Sequence, residues 1–342
     1  MDKLNVAIAD DNAKMTDMLG QMIEEDKDLT LVGKAHNGEE ICSIIREKEP
    51  DVVVLDADLA AATKTGIFKK AFPSRFFDCG IAEGNMMSVA AGIASTGKTV
   101  FASSFAMFAA GRAFEQVRNS IGYPHLNVKI GATHAGISVG EDGATHECLE
   151  DIALMRSIPG MTVLNPADAT EARAVVKAAL DHKGPVYMRF GRLAVETIFD
   201  KDTFTFEIGK GQLLADGTDV TIVSTGLCTS MAIAAVELLK NEGISARLVN
   251  MASIKPIDRD ILVDSAKKTG CVLTVEEHNV IGGLGSAVCE TLCETVPVPV
   301  LRHGVYDVFG KSGKAVELLV EFGFTPEEIA AKAKQALALK KG

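Results

Sequence analysis

The sequence contains no tryptophan, only three tyrosines, and seven scattered cysteines without C-x-x-C spacing. The shortage of aromatic residues does not support a stacking platform for single-stranded nucleic acid. The cysteine pattern favours a reduced, cytoplasmic protein over a disulfide framework or a zinc scaffold. No apolar run is long enough to span a membrane, and the net charge of −11 disfavours nucleic acid or an anionic membrane as a partner.

The sequence has 342 residues, and 47% of them are hydrophobic. This is enough for two or three domains with packed cores. Predicted strands alternate with predicted helices, as where strand Thr99–Ser103 precedes a helix from Met107 to Ile121. This alternation predicts the α/β class with parallel sheets. The polar stretch from Leu193 to Thr218 predicts an interdomain linker, and a second α/β unit follows it.

The first 56 residues predict a βαβαβ unit with strands at Leu4–Ala9, Leu29–Gly33 and Val52–Leu55. Parallel strands place their carboxyl ends at one edge of a sheet, so Asp10, Asp11 and Asp56 are expected to meet there. Three clustered carboxylates suit a hard divalent cation. The alternative is that Asp11 and Asn12 cap a helix that follows the strand.

This segment, with VAIADDN, AHNGEE and PDVVVLD, resembles the receiver domain of bacterial response regulators, and is most similar to the sporulation regulators. The resemblance implies that Asp10 and Asp11 hold magnesium and that Asp56 accepts a phosphoryl group. The hydroxyl and lysine that complete a receiver are missing after Asp56, so we expect a truncated receiver-like fragment in which Asp56 is not a working phosphoacceptor. A chimera joined within residues 52–56 is the simplest interpretation.

The stretch FFDCGIAEGNMMSVAAGIA, residues 76–94, is the centre of the remaining sequence. An apolar lead-in is followed by a glycine turn and a helix of small residues, with Glu83 in the turn. A carboxylate among apolar neighbours is costly to bury unless something binds it. The alternative is a first-turn glutamate that satisfies the helix dipole.

Two further stretches carry aromatic, histidine and acidic residues at specific spacing. They are FASSFAMFAAGRAFEQVR, with Phe105, Phe108 and Phe114, and GATHAGISVGEDGATHE, with His134, Asp142 and His146. Together with the stretch around Glu83 they resemble the pyrimidine-binding domain of transketolase, a family that uses thiamine diphosphate. The resemblance runs from about Val52 to the C-terminus, where the last unit is similar to the transketolase C-terminal domain.

The resemblance implies a role for each of these side chains. Glu83 would hydrogen-bond the cofactor's pyrimidine ring, in an apolar slot formed by Phe105, Phe108 and Phe114. His134 and His146 would move protons on the sugar hydroxyls.

The remaining contacts implied by the resemblance concern the substrate. Asp58 and Asp142 would accept hydrogen bonds from sugar hydroxyls. Arg189, in VYMRFGR, would bind a sugar phosphate, for which a guanidinium is well suited.

The sequence therefore predicts three segments: a receiver-like fragment (1–56), a pyrimidine-binding domain (57–195) and a transketolase C-terminal domain (196–342). The GDG…N element that holds the diphosphate and Mg²⁺ in this family is absent. We expect the C-terminal subunit of a split transketolase, which acts on sugar phosphates, self-associates and needs a separate N-terminal, diphosphate-binding subunit, as two copies of each chain. The alternatives are a deoxyxylulose-phosphate synthase, against which His134 argues, and a phosphoacceptor signalling protein.

Overall fold

The computed structural model describes residues 4–9, 29–35 and 52–340, and the chain divides into two compact units. The first comprises residues 1–131 and 183–186, and the second comprises 132–182 and 187–342. Strands and helices alternate in both, and most strand pairs are parallel. The predicted α/β class is therefore confirmed.

The N-terminal strands do not form the predicted receiver-like sheet. Strands β1 (Leu4–Ala9) and β2 (Leu29–Ala35) pair in parallel as a separate two-stranded sheet. Strand β3 (Val52–Asp56) pairs instead with β4 (Phe76–Asp78) and β5 (Thr99–Phe105). The prediction that these first three strands are neighbours is thus wrong, because β3 finds its hydrogen-bonding partners further along the chain.

Two of the three predicted acidic residues, Asp10 and Asp11, lie outside the described residues, as do the helices predicted between these strands. Their proposed magnesium-binding role stays a prediction. A receiver-like N-terminal half is not supported by the arrangement of the strands that the structure does describe.

In the first unit β3 lies between β4 and β5, and helices follow each of these strands along the chain. They are α1 (Ala60–Thr63), α2 (Thr65–Ala71), a 3₁₀ turn at Pro73–Arg75, α3 (Glu83–Ala94), π-helical turns at Met107–Arg112 and Val117–Gly122, and between these α4 (Phe114–Gln116). Helix α3 follows β4 and lies against β5. Its start is therefore positioned at the carboxyl end of the β4 strand, where α/β proteins place binding residues.

The second unit is built around a five-stranded sheet with the order β14–β13–β10–β11–β9, in which only the β9 pairing is antiparallel. Its strands are β9 (Gln212–Ala215), β10 (Val220–Ser224), β11 (Ala246–Asn250), β13 (Val272–Asn279) and β14 (Val300–Val305). The other strands after β5 lie in a different sheet, and they are β6 (Val128–Thr133), β7 (Thr162–Leu164), β8 (Val186–Arg189) and β12 (Ser253–Lys255). Strands β6 and β8 each pass from one unit into the other along the chain. Strand β9 falls inside the predicted linker, and that part of the linker prediction is wrong.

The helices of the second unit alternate with these strands along the chain. They are α5 (Asp151–Ser157), α6 (Ala169–Asp181), α7 (Cys228–Asn241), α8 (Arg259–Thr269), α9 (Leu284–Cys293), α10 (Ala315–Glu321) and α11 (Pro326–Leu339), with a 3₁₀ turn at Ile137–Val139. The fully buried Val220, Ile222 and Leu273 lie in one apolar core cluster with α7 and α11. Among the described residues no helix is both long and apolar enough to cross a bilayer.

Two helices of the second unit begin with a side-chain N-cap. Thr325 caps α11, since its hydroxyl accepts the Glu328 N–H at 3.2 Å. Asp168 caps α6 by accepting the Glu171 N–H at 2.7 Å. Its second oxygen accepts the N–H groups of Ile198 and Phe199 at 2.7 and 2.9 Å, so this one carboxylate also fastens the segment after β8.

We expect Asp168→Ala to lower the free energy of unfolding by roughly 2–4 kcal/mol, because it removes a helix cap and two further charge-assisted hydrogen bonds. Thr325→Ala is the matched control, since it removes a single cap and should cost about 1 kcal/mol. Urea unfolding of both variants measures the difference. Equal losses would show that the contacts to residues 198 and 199 do not contribute.

Candidate active site

Glu83 is the first residue of α3 and lies in the interior of the first unit, with 2% of its surface exposed. Met86 and Met87, on the same helix, are fully buried. The N–H groups and the dipole of a helix N-terminus favour a negative charge at this place. The position of Glu83 therefore agrees with the interpretation that it satisfies the helix dipole. The carboxylate is also enclosed, which a role in holding a ligand requires.

Arg112 is the ionic partner that the structure gives Glu83. Its Nη1 donates to Oε2 at 3.0 Å and to Oε1 at 3.3 Å, across 29 residues of sequence. The guanidinium carbon also lies 4.5 Å from the centroid of the Phe108 ring. The arginine side chain is 53% exposed, so a half-exposed cation covers a buried anion.

The predicted apolar slot is formed in part. The rings of Phe105 and Phe108 are stacked, with centroids 6.2 Å apart and planes at 16°. Phe105 ends β5 and is 8% exposed, whereas Phe108 is half-buried. Phe114 begins α4 and is half-buried, and its predicted role in the slot stays a prediction.

The segment that carries this slot is not the continuous α-helix predicted from Met107 to Ile121. Two π-helical turns replace most of it: the Ala113 N–H donates to Phe108 O at 3.1 Å, and the Tyr123 N–H to Arg118 O at 2.8 Å. Each such turn holds one residue more than an α turn, and π turns recur at functional sites. The sequence signals a helix here but not its pitch, which is why the pairing of Arg112 with Glu83 was missed.

Asp56, to which the receiver resemblance assigns the phosphoryl group, is a fully buried carboxylate. Its Oδ1 accepts the Leu59 N–H at 2.7 Å, and its Oδ2 accepts the Thr63 and Thr65 hydroxyls, each at 2.7 Å. Burial raises the pKa of Asp56, and the two hydroxyl hydrogen bonds lower it. These contacts support the expectation that Asp56 does not accept a phosphoryl group. Asp58 is exposed, with a left-handed φ of 61°.

The predicted substrate residues His134, Asp142 and His146 all lie in the loop that follows β6, within the second unit. Nδ1 of His134 is 3.0 Å from the Thr133 hydroxyl, and Nδ1 of His146 is 2.9 Å from the Thr145 hydroxyl. Both rings are half-buried and Asp142 is exposed. His134 has a φ of 57°, a left-handed conformation that costs free energy for a non-glycine residue and recurs at functional sites.

Glu277, on β13, contacts the loop that carries the two histidines. Its Oε1 accepts the Ser138 N–H at 2.6 Å. Gly136 has a φ of 86°, and a Cβ there would lie 2.2 Å from the Glu277 carboxyl carbon, so only glycine allows this approach. Glu147 is also buried, at 3% exposure. Burial, followed by the Glu277 charge, raises the pKa of Glu147 to about 7, and burial raises the pKa of Glu277 to about 7 as well.

Arg189 does not present its guanidinium to a substrate in this structure. It is 2% exposed, and its Nε lies 2.9 Å from Oδ2 of the fully buried Asp151. Its Nη2 donates to the Glu277 and Cys148 carbonyls at 2.8 and 3.4 Å. Burial lowers the pKa of Arg189, but the Asp151 and Glu277 charges outweigh that effect and raise it. Arg189 is thus enclosed by protein groups in this structure, and its phosphate contact stays a prediction.

Arg192, three residues further on, is a second arginine near this loop, and the sequence pattern alone does not single it out. Its side chain is 41% exposed, and Nη1 donates to Val139 O at 3.1 Å and to Glu141 Oε2 at 3.3 Å. These partners are in the loop that carries the two histidines. The sequence RFGR contains both arginines, but Arg189 ends β8 and Arg192 lies beyond the strand, so the two side chains have different environments.

No cluster of three or more His, Cys, Asp or Glu side chains is placed to hold a metal ion in the part of the chain that the structure describes. In the first unit, the buried acid Glu83 and the stacked phenylalanines can hold a flat, nitrogen-containing ring by one hydrogen bond and by stacking.

Comparison with known proteins finds matches over nearly the whole described chain. Residues 33–197 match the family model "Transketolase, pyrimidine binding domain", and residues 209–329 match "Transketolase, C-terminal domain". A relative from Methanocaldococcus jannaschii, named putative transketolase C-terminal section, is 53% identical over 83% of this chain and 90% of its own length. The transketolase of Homo sapiens is 38% identical over 82% of this chain but only 45% of its own length.

Among solved structures, one described as split gene transketolase, inactive beta4 tetramer, has 53% sequence identity and a TM-score of 0.78. The match covers 89% of this chain and 97% of that chain. This chain therefore has the extent of a C-terminal section, and about half the extent of a single-chain transketolase.

The buried acids under the loop predict a pH-dependent stability. Since the pKa of Glu147 is raised above its ordinary 4.5 to about 7, its contribution is fully present below pH 4.5 and is lost as the pH rises through 7. Glu147→Gln should therefore reduce the fall in unfolding free energy between pH 5 and 8, measured by urea unfolding. It should not abolish that fall, because Glu277, beside Asp151 and Arg189, titrates in the same window.

The matched control is Glu237→Gln, which neutralises an exposed glutamate of α7 and should leave the pH dependence unchanged. An unaltered slope in the Glu147 variant would contradict the buried-acid interpretation.

Proposed function

The chain belongs to the transketolase family, and from this premise we propose that it is the C-terminal subunit of a split, thiamine-diphosphate-dependent transketolase. It would move a two-carbon ketol unit between sugar phosphates. The observation that carries the proposal is Glu83, a buried carboxylate beside the stacked Phe105 and Phe108, in a chain with the extent of a C-terminal section.

The residues of the first unit fit the pyrimidine half of the cofactor. Glu83 would hydrogen-bond a ring nitrogen, and Phe105 and Phe108 would provide apolar faces for the ring, with Phe114 nearby in sequence. When bound, thiamine diphosphate supplies the nucleophilic carbon for breaking and forming the ketol bond. The chain's own contribution is to hold the ring, to keep a carboxylate at its nitrogen and to exclude water from that contact.

The diphosphate half of the site has no counterpart in this sequence, which contains no GDG…N motif. We assign that half, with the Mg²⁺ ion that neutralises the diphosphate, to a separate N-terminal subunit. The related split-gene structure is described as an inactive beta4 tetramer, which supports both self-association and a need for a partner. Two copies of each subunit form the expected closed assembly.

The histidine loop supports the proposed sugar chemistry. His134 and His146 are half-buried, and their imidazoles would move protons on the sugar hydroxyls. Asp142 and Asp58 are exposed acceptors for sugar hydroxyls. We assign the sugar-phosphate contact to Arg192 instead of the buried Arg189, because only a guanidinium with free surface can approach a phosphate.

A reduced, cytoplasmic setting completes the proposal, since the six cysteines that the structure describes are all free thiols. Deoxyxylulose-phosphate synthase is the alternative within the same cofactor class, and it differs in using pyruvate as its donor. A pyruvate arm in the assay below separates the two activities.

We expect the purified chain to be inactive alone and to gain activity when the N-terminal subunit from the same source is added. The assay is ketol transfer from xylulose 5-phosphate to ribose 5-phosphate with thiamine diphosphate and Mg²⁺. Glu83→Gln in the reconstituted enzyme should lose about 3–5 kcal/mol of transition-state stabilisation, because the ring loses its carboxylate.

Robust activity of the isolated chain would contradict the split-site proposal. Full activity of the Glu83 variant would contradict the residue assignment, and decarboxylation of pyruvate without ketol transfer would favour the synthase.

The two arginines predict opposite phenotypes. Arg192→Met should raise KM for the phosphorylated substrates at least tenfold and leave the free energy of unfolding within about 0.5 kcal/mol. Arg189→Met should instead cost about 3–5 kcal/mol of stability, because it leaves Asp151 buried without its cation. Steady-state kinetics and urea unfolding of both variants test the assignment. A stable Arg189 variant with a selective KM defect would restore the original phosphate prediction.

A further inference from the structure

Arg112 covers the carboxylate that the cofactor is proposed to use. Its Nη1 reaches both oxygens of Glu83, at 3.0 and 3.3 Å, and its guanidinium carbon lies 4.5 Å from the centroid of the Phe108 ring. The arginine thus makes the two kinds of contact that the pyrimidine ring needs, with the same two side chains.

The guanidinium of Arg112 and the pyrimidine ring of the cofactor have similar chemistry. A guanidinium is a planar cation that donates N–H groups to a carboxylate and stacks on aromatic faces. An aminopyrimidine that carries a proton on its ring nitrogen is also planar and cationic, donates an N–H to a carboxylate and stacks on an aromatic ring. Both cannot occupy one face of Phe108 together, because a second flat group needs that same van der Waals space.

We propose that Arg112 holds the place of the cofactor's pyrimidine ring in the free subunit and leaves Glu83 when the ring binds. This inference rests on the proposed function, since it assumes that Glu83 receives the ring.

The exposures of the two side chains support a displacement of the arginine rather than of the acid. Glu83 is fixed at the start of α3 with 2% exposure, whereas Arg112 is 53% exposed and can rotate its charge into water. Without a partner, the buried carboxylate would cost the free subunit stability. Arg112 supplies that partner until the ring arrives, and the ring then has to compete with it.

If Arg112 occupies the place of the pyrimidine ring, Arg112→Met should have two opposite effects, one on stability and one on cofactor affinity. The free subunit should melt at a lower temperature, because Glu83 loses its ionic partner. Thiamine diphosphate should nevertheless bind more tightly to the reconstituted enzyme, by about three- to tenfold in Kd, because the competing contact is gone. Scanning calorimetry of the subunit and titration calorimetry of the reconstituted enzyme with thiamine diphosphate and Mg²⁺ measure the two effects.

Arg118→Met is the matched control, since Arg118 is an exposed arginine of the second π turn whose guanidinium donates to Asn119. It should change neither the melting temperature of the subunit nor the Kd of the cofactor. In a Glu83→Gln background, Arg112→Met should no longer lower the melting temperature, because the buried charge is absent.

A lower melting temperature with unchanged or weaker cofactor binding would overturn the placeholder role and leave Arg112 as a structural partner of Glu83. If the reconstituted wild-type enzyme does not bind the cofactor at all, the proposed function fails, and this inference fails with it. Tight wild-type binding without a gain in the variant overturns this inference alone.

Discussion

The buried ion pair between Arg189 and Asp151 is the contact on which the architecture of the second unit depends. Asp151 is fully buried, and it accepts the Tyr187 hydroxyl at 2.8 Å in addition to Arg189. Arg189 reaches on to the carbonyl of Glu277. Strand β8, helix α5 and strand β13 are therefore tied at one point, and the loop with the two histidines is hydrogen-bonded to Glu277 of the same strand β13. A buried pair of this kind fixes geometry more than it adds stability.

The ion pair between Glu83 and Arg112 differs from the Arg189–Asp151 pair in the exposure of its cation. The carboxylate is as deeply buried as Asp151, but its cation is half-exposed and belongs to a segment with widened helical turns. An enclosed pair on both sides resists exchange of partners, whereas a pair open on one side permits it. The molecule thus uses one charge pair to hold a scaffold and another at the place where a ligand is proposed to bind.

The alternation of strands and helices, and a helix of small residues beginning close to Glu83, could be predicted because each is encoded within a few neighbouring residues. The roles of Arg189 and Arg192 could not, because burial depends on elements distant in sequence. The predicted joining of β3 to the N-terminal strands failed for a related reason: PDVVVLD fits either sheet, and only tertiary hydrogen bonds decide between them. Helical pitch is likewise invisible to residue periodicity.

The widened turns at Met107–Arg112 and Val117–Gly122 have an evolutionary consequence. A π turn contains one residue more than an α turn, so losing one residue there can restore regular pitch without displacing the flanking strands. Single-residue insertions and deletions between related chains should accumulate at these turns. A sequence alignment anchored at Phe105 and one anchored at Arg118 can then pair different residues between the two anchors. The aromatic positions of this slot should therefore be matched by structural superposition before they are matched by sequence.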